Sequence, residues 1–266
     1  MADRPASMSY GDYLGLDQLL AAQHPLSSNG DELLFIIIHQ TKELWLKQIV
    51  RELRLAAEMI RGDQLIPVHK ALSRVSRIQA VMTMSWDVLA TMTPSDYTAF
   101  RHVLGSSSGF QSGQFRLVEY MMGLKDPGHL KHQPDGSAPQ TALAEALHAP
   151  SLWDEANRAL ARSGFALPPE ALDRDWSRPY QPNDAVEAAW AEVYRDPACW
   201  WAFYQLAEKL VDLDDGFATW RHKHVLTVER VIGLKRGTGG TVGVAYLQST
   251  LGKRAFPELW SLRTRL

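Results

Sequence analysis

The chain has 266 residues, of which 45% are hydrophobic, so a globular protein with a substantial core is expected rather than a disordered chain. The 28 basic and 30 acidic side chains nearly cancel, and this balance does not favour nucleic acid as a partner. The single cysteine, Cys199, excludes an intrachain disulfide framework, a cysteine-based zinc or iron–sulfur site, and a haem attached through two thioethers.

The N-terminal residues lack the basic segment and apolar run that are typical of a secretory signal. The most apolar run, residues 33–38, has six residues, far fewer than the roughly 20 that cross a bilayer as a helix. We therefore expect no membrane association, and the single cysteine together with the missing signal favours the cytoplasm.

The first half of the chain is predicted to form four helices. A capping box of Asn29 and Glu32 predicts the start of a long helix that ends at Gly62-Asp63. Further helices are expected over residues 68–91, from the cap at residues 93–96 through residue 104, and over 111–122. Residues 33–45 are apolar on most sides of the first helix, so this segment is expected to lie buried at the centre of the protein.

The second half combines short helices with one long helix. Prolines cluster over residues 127–197 and indicate connections between short helices. One long helix is expected over residues 199–232, with a possible bend at residues 214–216, and residues 233–243 form a glycine-rich loop. No alternating pattern predicts a strand. The sequence therefore predicts an all-α protein with a single helical domain over residues 1–266.

Two histidines lie where a polar ring is costly. His39 follows the most apolar run, and His224 lies on the apolar stripe of the last long helix. A buried imidazole needs hydrogen-bond partners for both ring nitrogens. One interpretation is two core histidines bonded to the backbone or to water. The other is a flat cofactor held between the two helices, with one histidine on its metal and the other across from it.

Several other motifs have both a functional and a structural interpretation. Arg101 and Tyr97 share one helix face and form either a carboxylate clamp or a surface pair. The loop at residues 237–243 either cradles an anion, folds over a pocket, or simply ends a helix. A diiron site would need two Glu-x-x-His pairs, and only Glu145 and His148 provide one. The histidines of the loop at residues 129–132 are expected to be solvated.

Several segments, in chain order, resemble the tryptophan 2,3-dioxygenase family. They are YGDYL from residue 10, LFIIIHQTKELW from residue 34, FRHVLGSSSGFQS from residue 100, WRHKH from residue 220, KRGTGG from residue 235 and FPEL from residue 256. Residues 125–195 match least, with little beyond Asp175-Trp176. The resemblance implies a helical haem b enzyme that forms a homotetramer. It also implies insertion of both atoms of O₂ across the indole C2–C3 bond of L-tryptophan, giving N-formylkynurenine, the first step of the kynurenine pathway.

The same resemblance assigns roles to particular residues. It implies that His224 is the haem iron ligand and that His39 is the distal histidine that accepts a hydrogen bond from the indole N–H. The substrate contacts it implies are Phe35 and Leu104 around the indole, Arg101 and Tyr97 on the carboxylate, Thr238 near the ammonium and carboxylate, and Tyr10 and Tyr13 from a neighbouring subunit. On the cofactor side it implies Ser108, Gly109 and Arg116. Residues 1–25 are accordingly expected to form an intersubunit arm.

Three alternatives from other classes stay open at this point. An indoleamine dioxygenase with a wider substrate range is disfavoured by His39, because that family lacks a distal histidine. A haem sensor or carrier without turnover is disfavoured by the carboxylate clamp and the glycine-rich loop. A helical scaffold without a cofactor would purify as a colourless protein.

Overall fold

The computed structural model describes residues 7–240 and 243–266. The first six residues of the expected N-terminal arm, and Thr241 and Val242 of the glycine-rich loop, lie outside the described residues. Within the described ranges all regular structure is helical and no strand occurs, so the all-α fold is confirmed.

Thirteen α-helices occur in the described part of the chain. In order they are Tyr10–Leu14 (α1), Leu16–Leu20 (α2), Gly30–Arg61 (α3), Val68–Leu89 (α4), Pro94–Arg101 (α5), Gly113–Met122 (α6), Ala138–His148 (α7), Leu152–Arg162 (α8), Pro169–Leu172 (α9), Asp184–Arg195 (α10), Trp201–Ile232 (α11), Val244–Ser249 (α12) and Pro257–Ser261 (α13). Short 3₁₀ helices span His102–Leu104, Gly109–Gln111, Pro127–His132 and Leu262–Thr264.

The start of α3 follows the sequence prediction in part. The Asn29 side chain caps the helix by accepting a hydrogen bond from the backbone N–H of Asp31. Glu32 does not complete a capping box with it. The Glu32 carboxylate instead accepts hydrogen bonds from the N–H groups of Leu26 and Ser27 and from the Ser27 hydroxyl. These bonds fix the angle at which the N-terminal segment joins the long helix.

Helix α11 runs without interruption through residues 214–216, where the sequence suggested a bend. Gly216 is explained instead by packing, because a Cβ there would lie 2.7 Å from Oε1 of Gln79. The Gln79 amide donates a hydrogen bond of 3.1 Å to the carbonyl of Leu213 and so joins α4 to α11. The missing side chain at Gly216 lets the two helices approach closely.

The three longest helices form the frame of the protein. Helix α4 packs against both α3 and α11, and the short helix α5 contacts α3 and α11 near one end. The main core lies along these helices and extends to α8 and α10, where Trp153 and Trp190 are fully buried and stack on each other. A second, smaller apolar cluster lies beside α5 and contains Ile38, Trp86 and Phe100. It positions the candidate site.

The prediction that residues 33–45 lie buried at the centre of the protein is wrong for one face of this segment. Leu33, Ile37, Leu44 and Trp45 are all between 41% and 51% exposed. The sequence shows only that these positions are apolar, and it does not show whether the same chain covers them. In this chain α3 packs with its opposite face, which leaves an apolar strip on the surface.

Within the described ranges, no helix has the length and apolar character that crossing a membrane requires.

Candidate functional site

His39 lies on the inward face of α3 and has a defined tautomer. Its Nδ1 is 2.7 Å from the carbonyl oxygen of Phe35, and because a carbonyl only accepts, Nδ1 carries the proton. Burial lowers the pKa of His39 to about 4, with a smaller contribution from the nearby charge of Lys42. At neutral pH the ring is therefore uncharged, and Nε2 presents a lone pair that accepts a hydrogen bond.

Aromatic side chains form one wall beside His39. The ring of Phe35 lies 4.1 Å from the His39 ring, 5.6 Å from Phe100 and 6.1 Å from Tyr97. Leu104 packs against the same apolar cluster. Burial raises the pKa of Tyr97, opposed by the charge of Arg101, so its phenol stays protonated at neutral pH. The structure thus brings four of the residues selected from sequence into one apolar cluster with a polar edge.

His224 faces the same region from α11. Its ring stacks on Trp86 at 4.5 Å with an interplanar angle of 10°, and Trp220 lies 5.1 Å away. Burial lowers the pKa of His224 to about 3, and the charges of Lys42, of Arg116 and of His39 once it is protonated at low pH add to this effect. Within the described part of the chain neither ring nitrogen of His224 has a hydrogen-bond partner. A neutral, unpartnered imidazole of this kind is a suitable metal ligand.

The glycine-rich loop lies against Arg101 and the loop before α6. The Arg101 guanidinium donates a hydrogen bond to the carbonyl of Arg236, and the Thr238 hydroxyl donates one of 2.5 Å to the carbonyl of Ser107. Gly239 passes Ser108 so closely that a Cβ would lie 2.7 Å from the Ser108 Cβ. The loop therefore contacts Arg101 and carries Thr238, two of the polar residues that the resemblance assigns to the substrate.

The residues that the resemblance assigns to the cofactor interact in this structure with residues close to them in the chain. The Ser108 hydroxyl accepts a hydrogen bond from Phe110 N–H and starts the 3₁₀ helix that includes Gly109. Arg116 is buried and donates a hydrogen bond of 2.6 Å to Glu119, while its guanidinium lies 4.5 Å from the Phe110 ring centre. The Arg116 guanidinium thus has a carboxylate partner within this chain. Its contact with a haem stays a prediction.

Tyr10 and Tyr13 do not join the cluster. Both are 76% exposed on α1, so this chain does not supply their expected packing partners within the described ranges. Their expected contact with a neighbouring subunit stays a prediction.

The sequence interpretation missed three side chains of this site and misplaced one histidine. Lys42, Trp86 and Trp220 all contact the groups around His224. Lys42 follows His39 by three residues, and this spacing on a helix was the available signal. His129, expected to be solvated, is buried against the rings of Phe110 and Tyr120, because the 3₁₀ turn folds it inward.

The donor set around His224 fits an acceptor-rich, metal-containing group. Three buried donors, Lys42 Nζ, Trp86 Nε1 and Trp220 Nε1, have no hydrogen-bond partner within the described ranges. Buried donors without acceptors are costly, so such a cluster suits a ligand that brings its own acceptors. No three His, Cys, Asp or Glu side chains in the described ranges converge on one metal position. A haem held through one histidine needs no such cluster.

Comparisons with known proteins place this chain in one family. The family model of tryptophan 2,3-dioxygenase matches residues 2–266. A tryptophan 2,3-dioxygenase of Caulobacter vibrioides is 62% identical over 259 residues, covering 97% of this chain and 98% of that protein. One of Cupriavidus necator is 55% identical, covering 99% and 90%. One of Bacillus thuringiensis subsp. konkukian is 51% identical, covering 99% and 95%. Because the match spans almost the whole chain, this protein belongs to the tryptophan 2,3-dioxygenase family.

Proposed function

We propose that this protein inserts both atoms of O₂ across the indole C2–C3 bond of L-tryptophan and releases N-formylkynurenine, the first step of tryptophan catabolism by the kynurenine pathway. The observation that carries the proposal is that a neutral His39 acceptor and a His224 without a hydrogen-bond partner among the described residues both lie at one apolar cluster. This pairing occurs in a chain whose family membership covers residues 2–266.

The cofactor of the proposed reaction is haem b, bound non-covalently. His224 would ligate the iron, and Ser108, Gly109 and Arg116 would line the porphyrin. When bound, a ferrous haem supplies the site at which O₂ is activated. The apolar side chains around it exclude water, which protects a reactive oxygen species from side reactions.

The indole ring is positioned by His39, Phe35 and Leu104. Since Nδ1 of His39 is bonded to the Phe35 carbonyl, Nε2 is the atom that accepts the indole N–H. This hydrogen bond orients the ring and does not require transfer of the indole proton. His39 is therefore an orienting group, and much of the rate enhancement comes from holding C2 and C3 in place.

The amino-acid end of the substrate is bound at the polar edge of the cluster. Arg101 would pair with the carboxylate, with the protonated Tyr97 phenol beside it as a hydrogen-bond donor. Arg101 now donates to the Arg236 carbonyl, and a carboxylate is a stronger acceptor for a guanidinium than a carbonyl. Thr238, two residues further along the same loop, would contact the ammonium and carboxylate groups. Substrate binding and loop position are coupled in this way.

The proposed assembly is a homotetramer in the cytoplasm. The exposed strip on α3, with Leu33, Ile37, Leu44 and Trp45, supports burial by another copy of this chain. Tyr10 and Tyr13 are exposed on α1, and the tetramer would place them in a neighbouring subunit's pocket, with residues 1–25 as the intersubunit arm.

The proposal is tested by one series of spectra on the purified, reduced protein. We expect a Soret band, and we expect new product absorbance when L-tryptophan and O₂ are added. With ¹⁸O₂, mass spectrometry should find both labelled atoms in the product. A colourless protein, or a haem protein without product, would contradict the proposal. Equal turnover of D-tryptophan and tryptamine would instead favour the wider substrate range of an indoleamine dioxygenase.

A further inference from the structure

Lys42 places a positive charge inside the cluster between the two histidines. It is only 6% exposed, and it lies one helical turn after His39 on the same face of α3. Its Nζ is 3.0 Å from the centre of the Trp86 ring, and the same ring stacks on His224. The Trp86 ring therefore contacts both the ammonium and the residue proposed as the iron ligand.

No acceptor in the described part of the chain compensates for that charge. Lys42 Nζ is buried without a hydrogen-bond partner within the described ranges. Burial lowers the pKa of Lys42 to about 7, and no neighbouring carboxylate raises it again. The face of Trp86 offers a cation–π contact, but this recovers only part of the cost of removing an ammonium from water. An anionic partner from outside the chain would remove the remaining cost.

The neighbours of Lys42 indicate what kind of anion fits. The indole N–H groups of Trp86 and Trp220 are also buried without acceptors within the described ranges, so three donors in this region have no partner. Several donors converging on one region match a carboxylate, which accepts hydrogen bonds on both oxygens. A carboxylate has two possible sources here, the porphyrin and the amino-acid substrate. Arg101 and Tyr97 already provide for the substrate, whereas Lys42 lies on the Trp86–His224 side.

We propose that Lys42 retains the cofactor, by pairing its ammonium with a carboxylate of the bound porphyrin. This inference rests on the proposed haem function. It assigns to the chain a positioning residue that acts on cofactor retention and not on the reacting atoms. Trp86 shares this role, because its ring contacts both the Lys42 ammonium and the His224 imidazole.

The test measures how fast purified holoprotein loses haem to an excess of apomyoglobin. Lys42→Met should lose haem about 10- to 100-fold faster, the range expected when a charge-assisted hydrogen bond is removed. Lys42→Arg, which keeps the charge, should restore slow loss. Lys47→Met is the matched control on the same helix, because Lys47 is exposed, and it should behave as the unaltered protein.

Two further measurements separate this role from a structural one. The propionate bending band in the resonance Raman spectrum should shift in Lys42→Met and return in Lys42→Arg. Thermal unfolding of haem-free Lys42→Met should show no loss of stability, because the variant removes an unpaired buried charge.

Three outcomes would overturn the inference. These are haem loss within twofold of the unaltered protein, failure of Lys42→Arg to slow it, or a raised KM for L-tryptophan with haem loss unchanged. The last result would assign Lys42 to the substrate carboxylate. If the unaltered protein shows no Soret band, the proposed function fails first, and the two failures are thereby distinguished.

Discussion

Substituting Gly239 by alanine tests whether the glycine-rich loop must lie against Ser108 for the enzyme to work. The added Cβ would lie 2.7 Å from the Ser108 Cβ and 2.8 Å from the Ser108 hydroxyl. Carbon atoms in contact prefer about 3.5–4.0 Å, so the loop has to retreat by roughly 1 Å. Overpacking of this kind costs about 1–3 kcal/mol. Because Thr238 is the adjacent residue, it moves with the loop.

We expect this displacement to lower kcat/KM for L-tryptophan by about 5- to 150-fold, which is the same 1–3 kcal/mol expressed as a rate ratio. The assay is steady-state product formation by holoprotein with matched haem content. Gly252→Ala is the control, because a Cβ there meets no atom within 4 Å and its φ is not positive. That variant should keep the unaltered kcat/KM.

A double substitution isolates the cause. Ser108→Gly removes both atoms that the new Cβ meets, although it also removes the hydroxyl that accepts from Phe110 N–H. Adding Gly239→Ala to the Ser108→Gly protein should therefore lower kcat/KM by less than about twofold further. An equally large loss in both backgrounds, or no loss in Gly239→Ala alone, would refute the reasoning about this contact.

Four further predictions concern the clamp and the two histidines. Arg101→Leu should raise the KM for L-tryptophan roughly 30-fold, the low end of about 2–5 kcal/mol for a charged pair, because Arg101 is partly exposed. His39→Ala should keep its haem and lose about 2- to 13-fold in kcat/KM, the equivalent of one neutral hydrogen bond of about 0.5–1.5 kcal/mol. His224→Ala should lose the Soret band, whereas His222→Ala, exposed on the same helix, should keep it. The free energy of unfolding of the haem-free chain should decrease as the pH falls from 6.5 to 5. The pKa values of His39 and His224, about 4 and about 3, lie below the unfolded value, so the unfolded chain binds protons first. Each histidine should contribute a slope that rises from about 0.7 kcal/mol per pH unit at pH 6.5 toward about 1.4 near pH 5.

Each of these predictions would be contradicted by a specific result. An unchanged KM in Arg101→Leu would place the substrate carboxylate elsewhere. A His39→Ala protein that holds haem but is inactive would show that His39 does more than orient the indole ring. A normal Soret spectrum in His224→Ala would exclude it as the iron ligand. Urea unfolding at a series of pH values measures the last prediction, and His39→Leu should lower the slope by the contribution of one histidine. An unaltered slope in that variant would show that His39 is not held neutral.

Much of the candidate site was accessible from the sequence because its residues lie in short contiguous motifs. His39 and Phe35 are one turn apart, as are Tyr97 and Arg101, so helical spacing alone predicts that each pair shares a face. That Arg101 meets the carbonyl of Arg236 was not predictable, because these residues are 135 positions apart. The same limit explains why Lys42 was missed. Nothing within one turn of it shows that its ammonium ends on the ring of Trp86.

The balanced charge, the single cysteine, the helix caps at Asn29 and Thr93 and the helical class were determined by the sequence itself. These features depend on composition or on atoms a few residues apart. Only the tertiary structure decided that residues 33–45 carry an exposed strip, that His129 is buried, and that α11 is continuous past Gly216. It also decided that the His39 ring is uncharged at neutral pH, because the segments packed around it bury the ring. The tautomer of His39, by contrast, follows from the Phe35 carbonyl one turn earlier in the same helix. Burial and the pKa values that follow from it depend on which distant segments pack together, and no local pattern encodes that.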